Sequence, residues 1–157
     1  MVTLRPMTEP EFDTFMARSL EGYIAQRAEA DDSPLEVERE AATRQVSEIL
    51  SQGFHTPGHR FWQVVEPGGG VVGALWVFID DTQRRAFVYD IEMDEAQRGK
   101  GYGAATMRAL EEELRPTGVT HIGLNVFGPN TIARALYDKM GYRVAATSML
   151  KRIAASE

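Results

Sequence analysis

The chain has 157 residues, of which 43% are hydrophobic and 25% are charged, so it is long enough for one globular domain with a buried core. The formal net charge is −6 and no apolar run reaches membrane-spanning length, so neither a nucleic acid nor a membrane is expected as a partner. The absence of cysteine excludes disulfides and thiolate chemistry, and the N-terminus lacks the pattern of an export signal. These features favour a cytoplasmic location.

The N-terminal third predicts a short strand followed by two amphipathic helices. Residues 3–6 suit a strand, and residues 8–11 have the form of a capping box. Apolar residues at helical spacing then predict a first helix that runs to about Arg27. A break at residues 31–34 overlaps a second capping box at residues 33–36, which predicts the start of a second helix.

The pattern changes to β-rich runs in the middle of the chain. Three runs separated by turn residues predict an antiparallel meander, and the helical patterns that follow predict a parallel crossover, so the chain is expected to form one mixed α/β domain. The predicted strands of the meander are residues 61–65, 71–79 and 86–93. After them come a helix at about 101–114, a strand at 121–127, an Asn130-capped helix through 139 that ends at Gly141, and an extended segment at 142–153.

A glycine-rich turn between the third meander strand and the next helix is the most informative stretch. Gly99, Gly101 and Gly103 occupy alternate positions, with Arg98 and Lys100 between them. Backbone N–H groups at such a strand-to-helix turn can close around an anion, and the helix dipole adds positive potential there, so a phosphate or pyrophosphate is the expected guest. The spacing fits neither the Rossmann fingerprint nor a Walker loop. A glycine-rich connection that binds nothing is the alternative.

Two motifs make the chain resemble the GNAT superfamily of acyl-CoA-dependent N-acetyltransferases. The family's acetyl-CoA signature, Arg/Gln-x-x-Gly-x-Gly/Ala after a strand, is matched by Arg98, Gly101 and Gly103. A second family segment, Asn-x-x-Ala-x-x-Leu-Tyr-x-x-x-Gly-Phe/Tyr, is matched at every specified position between residues 130 and 142. The resemblance covers nearly the whole chain and implies one domain over residues 1–157, with a mixed sheet of about six to seven strands flanked by about four helices.

The resemblance also implies where the acyl donor, acetyl-CoA, would bind. Its pyrophosphate would lie on the glycine turn, its pantetheine would follow the end of the strand at residues 91–93, and Tyr137 would face the sulfur. The implied cofactor-binding residues are Ile91, Met93, Arg98, Gly99, Lys100, Gly101, Tyr102, Gly103 and Asn130.

Acyl transfer from a thioester to an amine needs an oxyanion donor, an acid and a base. A backbone N–H at the strand end near Met93 could stabilise the oxyanion, and the Tyr137 phenol could protonate the leaving thiolate. Some relatives carry a glutamate as base where this chain has Asn125, which cannot serve. Glu92 and Asp90, on one face of the strand, are the nearest alternatives, acting directly or through water. Both carboxylates could instead be structural, and Tyr137 could be a core tyrosine.

The sequence therefore predicts an N-acetyltransferase that uses direct attack in a ternary complex, without a covalent enzyme intermediate. A non-catalytic CoA-binding module and a transferase for longer acyl groups stay open, as does a homodimer. No metal is expected, because His55 and His59 lie close together but a metal site needs more ligands at close spacing, and only His121 remains elsewhere. Residues 9–50 carry eleven acidic and four basic side chains, which favours a cationic amine as acceptor, whether a small molecule, an antibiotic, an amino acid or a protein.

Overall fold

A computed structural model describes residues 1–155, which form a five-stranded sheet flanked by four α-helices. The predicted meander and the two helical regions around it are confirmed, and three short 3-10 turns lie in the connections. The strands are β1 (Thr3–Pro6), β2 (His59–Val65), β3 (Val71–Asp80), β4 (Arg85–Met93) and β5 (His121–Leu124); the helices are α1 (Glu9–Asp31), α2 (Leu35–Ile49), α3 (Tyr102–Leu114) and α4 (Thr131–Lys139).

The strands follow one another across the sheet in chain order. Strands β1 to β4 pair antiparallel, and β5 pairs parallel to β4. The parallel pair is joined by the crossover through α3, as the strand–turn–helix–strand pattern predicted. The β4–β5 pairing covers only Arg85–Val88 on β4, so the C-terminal half of β4 has no strand on that side.

The two faces of the sheet carry separate apolar cores. On one face, Phe12 and Phe15 of α1 and Leu50, which directly follows α2, pack against Phe61 and Trp76 of the strands. The opposite face carries α3 and α4, whose buried residues Met107, Leu110, Leu114 and Tyr137 pack against Leu75, Val77 and Val88. Most of the periodic apolar residues read from the sequence therefore lie in or against these cores, and burying them supplies the main stabilisation of the fold. Leu35, which the pattern placed on the apolar face of the second helix, is exposed.

Helix ends mostly follow the predicted caps, with one exception. Thr8 and Glu11 form a complete capping box at α1, and Asn130 accepts a hydrogen bond from the Ala133 amide at the start of α4. The second predicted capping box is wrong, because Pro34 is the residue before α2 and no side chain caps that helix. Helix α1 also runs four residues beyond Arg27, ending where Asp32 adopts a left-handed conformation (φ 51°).

The predicted count of six to seven strands is wrong, since five are present among residues 1–155. The expected final strand at 142–153 has no strand partner, and β5 stops at Leu124 rather than residue 127. Extended sequence becomes a strand only when a neighbouring backbone pairs with it, which a local pattern cannot report. None of the helices among the described residues is long and apolar enough to cross a membrane.

Candidate active site

The candidate site lies where β4 separates from β5. Pairing stops at Val88 and Leu124, so the backbone of residues 89–93 is open toward β5. The Asp94 N–H donates to the Val72 carbonyl on β3 (2.9 Å), away from β5. Because the direction of the backbone N–H and C=O groups alternates along a strand, the N–H and C=O of Met93 point toward the opening. Arg98 Nε donates to the Met93 carbonyl there (3.3 Å). The opening therefore exposes a fixed backbone N–H at Met93, at the strand end where the sequence located it.

The glycine turn follows at the same end of β4. Gly99 and Gly101 adopt positive φ angles of 78° and 85°, which favour glycine over any other residue. Among the described residues, the backbone N–H groups of residues 99–104 meet no hydrogen-bond acceptor. A Cβ added at Gly99 or Gly101 would find no atom within 4 Å, so both positions face open space. Six free donors at the positive end of α3 form a site suited to an anion.

The side chains around the glycine turn divide into two groups. Arg98 and Lys100 are exposed, and Lys100 Nζ donates to the Gln97 side chain (3.1 Å), so both cations stay within reach of an anion on the turn. Tyr102 instead donates its hydroxyl to Glu66 (2.8 Å) and packs beside Val72, which makes its side chain structural and leaves only its N–H for a ligand. No local sequence pattern marks Glu66 as a partner, because it lies 36 residues from Tyr102.

Asp90 and Glu92 point to the face covered by α1, while Ile91 and Met93 pack on the other face, as the alternation predicted. The Ser19 hydroxyl donates to Asp90 Oδ2 (2.6 Å). Burial raises the pKa of Asp90 to about 6, against the hydrogen bond from Ser19, which acts to lower it. Glu92 forms an ion pair with Arg18.

Ser19 and Arg18 were missed as neighbours of these carboxylates. Their contacts join positions more than 70 residues apart, and no motif in α1 marks them. The one available signal was a serine in the otherwise apolar stripe of the first helix, where Ser19 is buried.

Tyr137 reaches the opening from the α4 side of the sheet. Its side chain is buried, and burial followed by the nearby Asp90 charge raises its pKa to about 12. The Tyr142 ring packs at 5.5 Å from it, while the Tyr137 hydroxyl bonds to no other group among residues 1–155. Tyr137 is thus both a core residue and a protonated phenol with a free hydroxyl beside Asp90.

Helix α4 packs against the start of α3. Leu136 of α4 lies 3.3 Å from where a Cβ of Gly103 would be, so the glycine allows α4 to approach the start of α3. Asn130 borders a pocket lined by Gln26, Glu29, Phe127 and Pro129, and Asn125 is exposed in the preceding loop. Among the described residues, no three His, Asp or Glu side chains are grouped to hold a metal ion.

Comparisons with known proteins agree on one family. A family model described as the acetyltransferase (GNAT) family matches residues 23–142. The "Uncharacterized N-acetyltransferase YdgE" of Bacillus subtilis (strain 168) is 31% identical over 96% of this chain and 98% of its own length. The "Uncharacterized N-acetyltransferase YycN" of the same organism is 30% identical over 97% and 99%. A crystal structure of YycN superimposes with a TM-score of 0.93 at 28% identity and covers 99% of this chain and 100% of its own.

Proposed function

Because the chain belongs to the GNAT acetyltransferase family, we propose that it moves the acetyl group of acetyl-CoA to an amine by direct attack in a ternary complex. The observation that carries this proposal is the arrangement at the open end of β4. The unpaired amides of the glycine turn, the Met93 N–H and the Tyr137 phenol all lie around that end, which is what a thioester donor needs. In this proposal residues 1–157 act as a single catalytic domain.

The glycine turn would hold the donor by its pyrophosphate. Free N–H groups at residues 99–104 would donate to phosphate oxygens, and Arg98 and Lys100 would add charge from exposed positions. The pantetheine would then follow Ile91 and Met93 in place of the missing strand, and Asn130 would contact it from the start of α4. The open space at the Cβ positions of Gly99 and Gly101 supports this fit.

In the transfer step, the amine nitrogen forms a bond to the acetyl carbon and the carbon–sulfur bond breaks. The Met93 N–H would stabilise the negative oxygen of the tetrahedral intermediate. Tyr137 would give its proton to the departing sulfur, because a phenol whose pKa is about 12 stays protonated throughout the neutral range. The proton lost by the amine needs an acceptor on the α1 side of the opening.

Asp90 suits the role of base better than Glu92. A carboxyl whose pKa is about 6 is ionised at neutral pH yet binds a proton more readily than an ordinary aspartate. Glu92 is instead engaged in an ion pair with Arg18 on α1. Asp90 also lies close enough to Tyr137 to raise the pKa of that phenol, so the acid and the base would share one site.

A cationic amine remains the acceptor class that we favour, but only some of the acidic side chains of α1 and α2 are free to attract it. Several carboxylates of α1 and α2 are already paired with arginines, among them Glu21 with Arg39 and Glu38 with Arg27. The attraction would come from the acidic residues of these helices that form no ion pair in the described structure, such as Glu29 beside the pocket at Asn130.

The decisive experiment measures catalysis and donor binding in parallel. CoA release is followed with a panel of cationic, neutral and anionic acceptors, while calorimetry measures the affinity for acetyl-CoA. Turnover with an amine is expected. The second candidate function, a CoA-binding module without activity, is favoured by Asn125 at the position where some relatives carry the base. Tight binding of acetyl-CoA without release by any acceptor would support that candidate and contradict the transferase.

A further inference from the structure

Ser19 is a polar residue on the buried face of α1. The other buried residues of this helix are Phe12, Phe15 and Ile24, and Ser19 itself is only 7% exposed. An alanine at this position would favour the helix more than a serine does, and a larger apolar residue would add core contacts. The hydroxyl is therefore the feature of Ser19 that needs an explanation.

The Ser19 hydroxyl bonds across the core rather than within its own helix. Serine and threonine hydroxyls inside helices commonly donate to the carbonyl four residues earlier, as Thr14 does to Pro10 (3.2 Å). Ser19 donates instead to Oδ2 of Asp90 on β4, at 2.6 Å. A hydroxyl has a single hydrogen, so this contact replaces a bond to the Phe15 carbonyl. The donor is thus directed at the carboxylate that we assign as the base.

The groups around Asp90 make the hydroxyl its main support. Burial, the largest influence, raises the pKa of Asp90, and the Ser19 hydrogen bond is the strongest of the influences that lower it. The negative charge of Glu92 acts to raise this pKa, while the positive charge of Arg18 and the N–H of the residue after Asp90 act to lower it. Arg18 and Glu92 form an ion pair, so their charges largely offset each other at Asp90. From α4, Tyr137 stays protonated in the neutral range and adds no charge.

We propose that Ser19 is a positioning residue for the transfer reaction, whose hydroxyl holds Oδ2 of the Asp90 carboxylate and leaves Oδ1 to take the proton of the acceptor amine. The role rests on the proposed function, in which Asp90 is the base. No second side chain among residues 1–155 donates a hydrogen bond to Asp90.

In the proton transfer, an N–H bond of the amine breaks as an O–H bond forms at Oδ1 of Asp90. The electron pair of the broken bond stays on nitrogen and forms the new bond to the acetyl carbon. The hydrogen of the Ser19 hydroxyl stays on Ser19 throughout. Its donation favours the charged carboxylate, so it keeps the base ready to accept a proton.

The first test follows the titration of Asp90 and needs no turnover. The ¹³C chemical shift of its carboxyl carbon is measured between pH 4 and pH 9, and the signal is identified by its loss in Asp90→Asn. Ser19→Ala is expected to raise the titration midpoint by about one pH unit, because a hydrogen bond to the charged form is lost. Thr14→Ala, which removes an exposed hydroxyl from the same helix, should leave the midpoint unchanged.

A second variant separates loss of the donor from loss of packing. Ser19→Cys keeps a side chain of similar shape with a weaker donor, and it should also raise the midpoint of Asp90. Circular dichroism establishes that the variants fold. A midpoint that stays at the wild-type value in folded Ser19→Ala or Ser19→Cys protein would overturn the proposal.

The last test compares the pH dependence of kcat/KM for Ser19→Ala and the wild type with the same amine. Their ratio cancels the titration of the acceptor itself. The ratio is expected to be about fivefold lower at pH 6 than at pH 8.5, since a base that titrates near 7 is mostly protonated at pH 6. A ratio independent of pH would overturn the role of Ser19. CoA release with no acceptor at all would instead contradict the proposed function, while the midpoint of Asp90 would still decide whether Ser19 supports its charge.

Discussion

Asp90→Asn is expected to stabilise the protein at neutral pH and to leave its stability nearly unchanged in acid. Asp90 is largely buried between β4 and α1, with the Ser19 hydroxyl donating to Oδ2 at 2.6 Å. An asparagine can accept the same hydrogen bond through its carbonyl oxygen and carries no charge. The substitution therefore removes the cost of burying the carboxylate and keeps the local contact.

The size of the effect follows from the raised pKa of Asp90. In the folded protein this pKa is about 6, whereas an ordinary aspartate lies near 3.8. Near pH 4 the folded protein holds the proton, so burial costs little. As pH rises from 4 to 6, the unfolded chain releases the proton first, and the stability of the wild type falls. Above pH 6 the full difference of about two pKa units persists, which corresponds to about 3 kcal/mol.

The assay is urea unfolding of both proteins at pH 4.5 and pH 7.5. The difference in unfolding free energy, variant minus wild type, is expected to grow by about 2 kcal/mol between these pH values, because part of the effect is already present at pH 4.5. The pH dependence of stability that comes from other groups, including Glu11 with its pKa lowered to about 2, cancels in this difference because both proteins share those groups. Asp13→Asn, at an exposed site on α1, controls for the loss of one charge and should change stability by less than about 0.5 kcal/mol. A difference for Asp90→Asn that is independent of pH would refute the reasoning.

Three further predictions test the site. Tyr137→Phe should lower kcat by about 100-fold or more with little change in acetyl-CoA affinity. Tyr142→Phe, which alters the tyrosine packed against Tyr137, should keep near wild-type activity. Similar rates for the two variants would show that the role of Tyr137 is purely structural. Gly101→Glu should abolish acetyl-CoA binding in calorimetry. Gly118 has nearly the same backbone angles as Gly101 (φ 86° and ψ 6°, against 85° and 7°), so Gly118→Glu should introduce the same conformational strain and keep the affinity. Equal affinities for the two variants would exclude the turn as the phosphate site. Cationic acceptors should be preferred, and kcat/KM for them should fall as the salt concentration rises. The same kcat/KM should rise with pH into the alkaline range. A preference for hydroxyl or anionic acceptors without salt dependence would contradict an electrostatic attraction of the acceptor.

The features that were predictable from the sequence are those that depend on neighbouring residues. The capping box at Thr8, the cap at Asn130 and the left-handed glycines of the turn each depend on contacts within four residues, so local chemistry specifies them. The strand–turn–helix order located the glycine turn at the end of β4 for the same reason. Alternation along β4 also separated Asp90 and Glu92 from Ile91 and Met93.

The environments of the chemical groups were decided only by the tertiary structure. Ser19 and Arg18 meet Asp90 and Glu92 across more than 70 residues of chain, and those contacts distinguish a buried carboxyl with a raised pKa from one held in an ion pair. The strand count was missed for a related reason: residues 142–153 have a β-like pattern and lack a paired backbone. Periodicity and caps are properties of one segment, so the sequence alone determined them. A pKa, a strand partner and a free amide are properties of what packs against a segment, and only the folded chain brings those partners together.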